Sequence, residues 1–313
     1  MATRDPEANF RTCPATGLRV FRQAELLITA NAVTAVVFLT IGGILALLIA
    51  LTRWQAVHLL PPDLFYRFLT AHGITMLVFW IVFFEIAGLY FGGCILLNGR
   101  LVVPRVGWLA FALMLVGAIL TEVTVFAGKA DVMFTAYVPL KATPLFYLGI
   151  ILFAVGALIA VGLFFVSIVV AKQERRHTGS LPLVTYGLAV AAIIATFTLV
   201  SGAMTFIPAF LWSLGLLETY DPAAYRLVFW AFGHSAQQIN LAAMVAVWYA
   251  LATLTVGAKP VNEKLSRIAF LLYLLFINLG AIHHLLVDPG LSTPGKIFNT
   301  SYAMYLAVLG SMI

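Results

Sequence analysis

Phe232-Gly233-His234-Ser235-Ala236-Gln237-Gln238 places one imidazole and two carboxamides inside an otherwise apolar stretch. Polar side chains at that depth are costly and mark function. A second intrusion, the adjacent pair His283-His284, lies in the next apolar stretch, and His72 stands near the start of an earlier one. Four of the chain's 6 histidines thus sit where a membrane protein least readily places them.

The surrounding composition supports a membrane setting. Of 313 residues, 63% are hydrophobic and 10% charged, with a mean hydropathy of +1.04. Those values exclude a soluble domain and predict an all-α, polytopic transmembrane helix bundle in a lipid bilayer. Cys13 and Cys94 are far apart and match no zinc, disulfide or covalent-haem pattern. Residues 1–23 form a polar tail, and the apolar run behind it is too long for the core of a cleaved signal peptide. The basic balance, with a pI near 9.4, comes from Lys and Arg spread over short loops, so nucleic acid is not an expected partner.

A helix crosses the hydrocarbon in about twenty apolar residues. Seven such runs are predicted near 24–52, 64–97, 106–128, 144–171, 182–215, 225–256 and 265–287, with an eighth starting near 298. Pro61-Pro62, Asn98-Gly99, Asp221-Pro222, Lys259-Pro260 and Asp288-Pro289-Gly290 punctuate them. Residues 24–313 therefore read as one transmembrane domain behind the 1–23 tail.

Basic residues in alternate loops give an orientation. Arg4, Arg11, Arg19, Arg22, Arg100, Arg105, Lys172, Arg175, Arg176, Lys259, Lys264 and Arg267 fall on the N-terminal side. The other side holds Arg53, Arg67, Lys129, Lys141, Arg226 and Lys296, so twelve against six puts the N-terminus in the cytoplasm. His72 then lies about 12 Å below the outer start of its span, at 1.5 Å per residue. His234 is similarly deep, and His283-His284 come in the last turns of an outgoing span, so all four fall in the outer half.

Neutral imidazole is a common ligand of transition metals and haem iron. On a regular helix His283 and His284 diverge by about 100°, so one ion reaches both only if the helix is distorted or the ion lies between them. His234 with His283 and His284 suits copper and leaves a position for a small ligand. The competing reading of each histidine is an interhelical hydrogen bond. Gly73, after His72, would let a flat macrocycle approach the helix. Glu85 and Glu122 are the acids deepest in apolar sequence, either members of a proton route or neutral carboxyls in a helix interface.

In order and spacing, His72-Gly73, Gly233-His234 and His283-His284 resemble subunit I of the haem-copper oxidase superfamily. Tyr137-Val138-Pro139-Leu140-Lys141, Pro182-Leu183-Val184-Thr185-Tyr186 and the run from Arg267 to Gly290 are similar to its B-type branch. The resemblance implies that His72 is an axial ligand of a low-spin haem. It further implies that His234, His283 and His284 hold copper facing a high-spin haem. A cupredoxin-like subunit II and a cytochrome c or quinol would supply electrons, in a bacterial or archaeal cytoplasmic membrane. The family's later helix, with the remaining haem histidines, has no counterpart here. The chain is therefore expected to be C-terminally incomplete, with about eight of twelve or more helices.

One position departs from the A- and B-type oxygen reductases, which carry a tyrosine one turn after the first copper ligand. Here that residue is Gln238. A phenol can give a proton and an electron as an O–O bond breaks, whereas a carboxamide only hydrogen-bonds. Nitric oxide reductases have a glutamate there, which suits non-haem iron; three histidines and a glutamine lean to copper instead. The expectation is a haem-copper oxidoreductase reducing NO to N2O, with a B-type-like cytochrome c oxidase reducing O2 as the alternative. Gln238 and His234 would act at the gas, and Tyr249 would join Glu85 and Glu122 as candidates for proton routes. A non-catalytic haem-carrying electron-transfer protein or a transporter is the further alternative.

Overall fold

A computed structural model describes residues 9–313. Residues 1–8, including Arg4 of the tail, lie outside the described residues. Seven helices are long and apolar enough to cross a membrane: α1 (Arg22–Arg53), α2 (Pro62–Ile95), α3 (Pro104–Phe126), α4 (Pro144–Gln173), α5 (Leu183–Ser213), α6 (Pro222–Val256) and α7 (Glu263–Leu285). An eighth helical segment, α8, runs over 293–312. It starts five residues before the expected 298, because Ser292 caps it, its hydroxyl accepting from the Gly295 N–H at 3.3 Å.

The helix starts obey local chemistry. Proline occupies the first turn of α2, α3, α4 and α6, where a backbone N–H has no partner to lose. Asp221 caps α6 by accepting from the Ala224 N–H at 2.7 Å, and Asn262 caps α7 by accepting from Leu265 N at 3.1 Å. Gly257 ends α6 in the left-handed region at φ 67°, where a Cβ would be penalised.

From residue 9 onward the tail is more ordered than its composition suggests. Phe10–Thr12 (β1) and Arg19–Phe21 (β2) pair antiparallel, Phe10 opposite Phe21, and lead into α1. Val20 and Phe21 are buried, the Arg19 guanidinium covers the Phe10 ring at 4.2 Å, and Arg11 pairs with Glu25 at 2.9 Å. Three residues per strand are too few to show alternation in sequence.

Small residues let the helices approach closely, as packing without a hydrophobic gradient requires. At Gly117 of α3 a Cβ would stand 2.5 Å from the Gly149 carbonyl and the Phe153 nitrogen of α4; at Gly156 it would stand 2.6 Å from the Ala110 carbonyl. Two π-helical turns interrupt α2, at Thr75–Phe79 just after His72 and at Phe91–Ile95. The second offers a backbone carbonyl to a neighbour: Thr185 of α5 donates to Gly92 O at 2.8 Å. Phe38, Phe79, Phe83 and Phe153 interlock beside α2, with centroids 4.9–5.7 Å apart.

Two measurements test this packing. Gly117→Val is expected to cost about 3 kcal/mol or more, beyond ordinary overpacking because backbone is struck, read as lost thermal stability in detergent. Hydrogen bonds from Thr16 and the N–H groups of Thr16 and Ala15 lower the Cys13 thiol to about 7. Alkylation of Cys13 should therefore rise through a midpoint near pH 7, as thiolate forms, while Cys94, 1% exposed, stays unreacted. Thr16→Ala should move that midpoint upward.

Candidate functional site

The histidine cluster forms where α6 meets the end of α7. His234 lies three turns into α6 and is 1% exposed. α7 tightens to a 3-10 helix over Gly280–Leu285, which carries His283 and His284. Three residues per turn spread neighbouring side chains by about 120°, more than an α-helix does. The backbone therefore does not converge the pair, and the side chains do, with ring centroids 4.1 Å apart. The His234 ring stands 4.6 Å from His283 and 5.4 Å from His284. One nitrogen from each of the three lies within 4.8 Å of the others.

Hydrogen bonds select the tautomer of His234. Its Nε2 lies 2.9 Å from the Ile277 carbonyl, and because a carbonyl only accepts, Nε2 carries the hydrogen. The Nδ1 lone pair is left facing His284 Nε2 at 3.3 Å. Gly280 makes the approach possible, since a Cβ there would come 3.3 Å from His234 Nε2 and 2.8 Å from Met304 Sδ. Buried His283 Nδ1 has no hydrogen-bond partner. Opposed nitrogens and an orphaned ring nitrogen fit a shared cation, and an all-imidazole set without a carboxylate fits copper.

A clamp holds the cluster from the side opposite the N-terminal face. The Trp230 indole stacks on His284 at 3.5 Å and 4°, and its Nε1 donates to the Tyr137 hydroxyl at 2.6 Å. Arg226 lies over the Tyr137 ring at 4.7 Å and forms a two-pronged pair with Asp288 at 3.0 and 3.1 Å. Burial raises the Tyr137 phenol above its ordinary value, keeping it neutral. Sequence reasoning missed Trp230, whose placing four residues before His234, on the same helix face, was an available signal.

His72 does not join the three. Its Nδ1 donates to the Gly42 carbonyl of α1 at 2.9 Å, leaving the Nε2 lone pair for a ligand. The arrangement suits an axial haem ligand. The notch at Gly73 is filled differently from the macrocycle expectation, because Phe134 packs there, its Cβ 2.9 Å from where a glycine Cβ would be.

The acids and amides separate. The Glu122 carboxylate or carboxyl accepts from the Thr75 hydroxyl at 2.7 Å, with its other oxygen unpartnered. Glu85 has an unpartnered oxygen and lines an apolar cavity of about 40 Å³ shared with Phe232, Ala236 and Ile239 of α6. Tyr249 and Ser266 share a hydrogen bond of 2.8 Å between α6 and α7. Gln238 Oε1 accepts from the hydroxyl of Tyr273, a residue of α7 that sequence reasoning also missed. Its recurrence ten residues before His283 carries no local signal; only helix packing brings it to Gln238.

The chain is similar to known proteins in sequence and in fold. Residues 27–313 match the family model of cytochrome c and quinol oxidase polypeptide I. Cytochrome c oxidase subunit 1 of Thermus thermophilus is 30% identical over 250 residues, covering 78% of this chain and 43% of that protein. The heme-copper oxidase subunit I+III of Aeropyrum pernix is 26% identical over 276 residues, covering 82% of this chain and 33% of that protein. The chain thus spans less than half the length of these relatives. A cryo-EM structure of a heme-copper terminal oxidase dimer has the same fold, with a TM-score of 0.85 at 24% identity over 94% of this chain and 51% of that one. With the histidine cluster at the junction of α6 and α7, the chain belongs to the cytochrome c and quinol oxidase polypeptide I family, subunit I of the haem-copper oxidases.

Proposed function

We propose that this chain is the catalytic membrane subunit of a respiratory haem-copper oxidoreductase that reduces NO to N2O. In this reading His234, His283 and His284 hold copper, and His72 is an axial ligand of the low-spin haem. The haems and copper, when bound, carry the electrons and hold the gas. The N-terminal face lies in the cytoplasm of a bacterial or archaeal cell, on the twelve-to-six balance of basic residues. A cupredoxin-like subunit and a cytochrome c or quinol donor complete the electron supply.

The observation that carries the choice of gas is Gln238. Two NO molecules, two electrons and two protons give N2O and water, and no O–O bond is cleaved. A residue one turn below His234 then has no electron to supply, and a carboxamide serves as a neutral hydrogen-bonding group. The protein's own tasks are to orient three imidazoles, exclude water around them and admit protons. Ile277 O, Gly280 and the Trp230 indole perform the first task.

A second reading, reduction of O2 to water, is favoured by the name of the Thermus thermophilus relative, cytochrome c oxidase subunit 1. It also gains from Tyr273, a phenol that reaches Gln238 from α7.

Turnover of the complete purified complex on each gas separates the two. Rapid N2O formation with negligible oxygen uptake supports the first reading; rapid oxygen uptake under the same donor replaces it with the second. Trp230→Leu removes the surface that fixes His284 and should lower copper affinity about 10–100-fold. Metal analysis after a graded chelator challenge reads that loss, and full copper retention would contradict the role given to the indole.

A further inference from the structure

Glu122 of α3 is 9% exposed, and the histidine cluster makes no use of it. One of its carboxyl oxygens accepts from the Thr75 hydroxyl of α2 at 2.7 Å, and the other, also buried, has no partner. A carboxyl in that setting is costly, and an apolar side chain of its size would pack α3 on α2 at less expense. Its use therefore lies in the bond to Thr75.

Thr75 departs from the commoner habit of threonine in this chain. Thr70, Thr121, Thr124, Thr198 and Thr205 each turn the hydroxyl back to the carbonyl four residues earlier on their own helix. The Thr75 hydroxyl instead leaves its helix for Glu122, which fixes the rotamer and turns the methyl toward α1. There it meets Gly42, where a Cβ would stand 3.1 Å from the methyl carbon. The carbonyl of the same Gly42 accepts from His72 Nδ1 at 2.9 Å. Thr75 is tied to His72 through the main chain as well, since its N–H is shared between the carbonyls of Ala71 and His72. The π turn Thr75–Phe79 begins here, a distortion frequent at functional sites. Three helices thus meet around one imidazole: Glu122 holds Thr75, Thr75 packs on Gly42, and Gly42 O orients His72.

We propose that Glu122 is a positioning residue for the imidazole of His72, acting through Thr75 and Gly42. The inference rests on the reading of His72 as an axial haem ligand and holds whichever gas the complex reduces. A firm bond at Nδ1 fixes the plane of the ring and makes Nε2 a stronger donor, and a stronger donor favours oxidised iron. Without Glu122 the Thr75 hydroxyl turns back to Ala71 O, four residues earlier. The methyl then leaves Gly42, and the bond at His72 Nδ1 slackens. No proton or electron passes through Glu122 in this role.

The test reads the low-spin haem of the complete complex, by its midpoint potential and by the EPR g values that report the ring plane. Glu122→Leu should favour the reduced form about tenfold, about 59 mV upward for one electron, with altered g values. Glu122→Gln keeps an oxygen for the Thr75 hydroxyl and should give wild-type readings. Thr75→Ala should reproduce the Leu variant. The double variant, Glu122→Leu with Thr75→Ala, should shift no further than either alone, because both break one connection. His72→Ala checks the underlying reading: loss of the low-spin signal supports it, and survival of the signal overturns that reading and this inference together. With the signal lost in His72→Ala, unchanged potential and g values in Glu122→Leu would overturn the positioning role alone. So would an additive double variant, or a Gln variant shifted like Leu, which would make charge and not the bond the agent. If Glu122→Leu fails to assemble, Thr75→Ala decides, and a wild-type potential there overturns the proposal.

Discussion

The hydrogen bond from His234 Nε2 to the Ile277 carbonyl is the contact on which the rest of the centre depends. Ile277 O is also approached by the Gly280 N–H, in the i to i+3 pattern that begins the 3-10 turn. One carbonyl thus tightens α7 and fixes the imidazole of α6. If Gly280 carried a side chain, its Cβ would crowd both His234 and Met304 Sδ. The tight turn, the tautomer and the helix separation are therefore one constraint met at one place.

Around that constraint the α6–α7 junction is tied at two levels. Beyond the histidines, Arg226 and Asp288 join the helices across their ends, with both side chains about 30% exposed, 30% and 28%. An exposed ion pair of this kind contributes little by itself. Its value is positional, because Arg226 also covers Tyr137, which accepts from the indole stacked on His284. Within the helices, Ser235 donates to Asn278 Oδ1 at 3.1 Å, a neutral bond that a dry interior strengthens.

The fold was legible in the sequence because spans announce themselves by length. Pro62, Pro104, Pro144 and Pro222 open helices as their chemistry requires, and the seven predicted runs fall on the seven observed ones. His234, His283 and His284 were legible because imidazoles are expensive in hydrocarbon. What escaped were contacts made by ordinary residues. Trp230 looked like one of many aromatic packing residues, and Tyr273 like a tyrosine in an apolar run, until the packing of α7 on α6 set them against His284 and Gln238. The β1–β2 hairpin escaped because register, and not composition, makes it. The π turns of α2 also left no pattern, since a single extra residue per turn does not alter hydropathy.

Two of the imidazoles have their tautomers chosen by main-chain carbonyls, Gly42 O for His72 and Ile277 O for His234. Neither choice involves a metal or a macrocycle. A domain that orients its lone pairs through its own backbone has that geometry set before any ion or ring arrives. That separates it from small zinc modules, in which ion binding and folding are a single event.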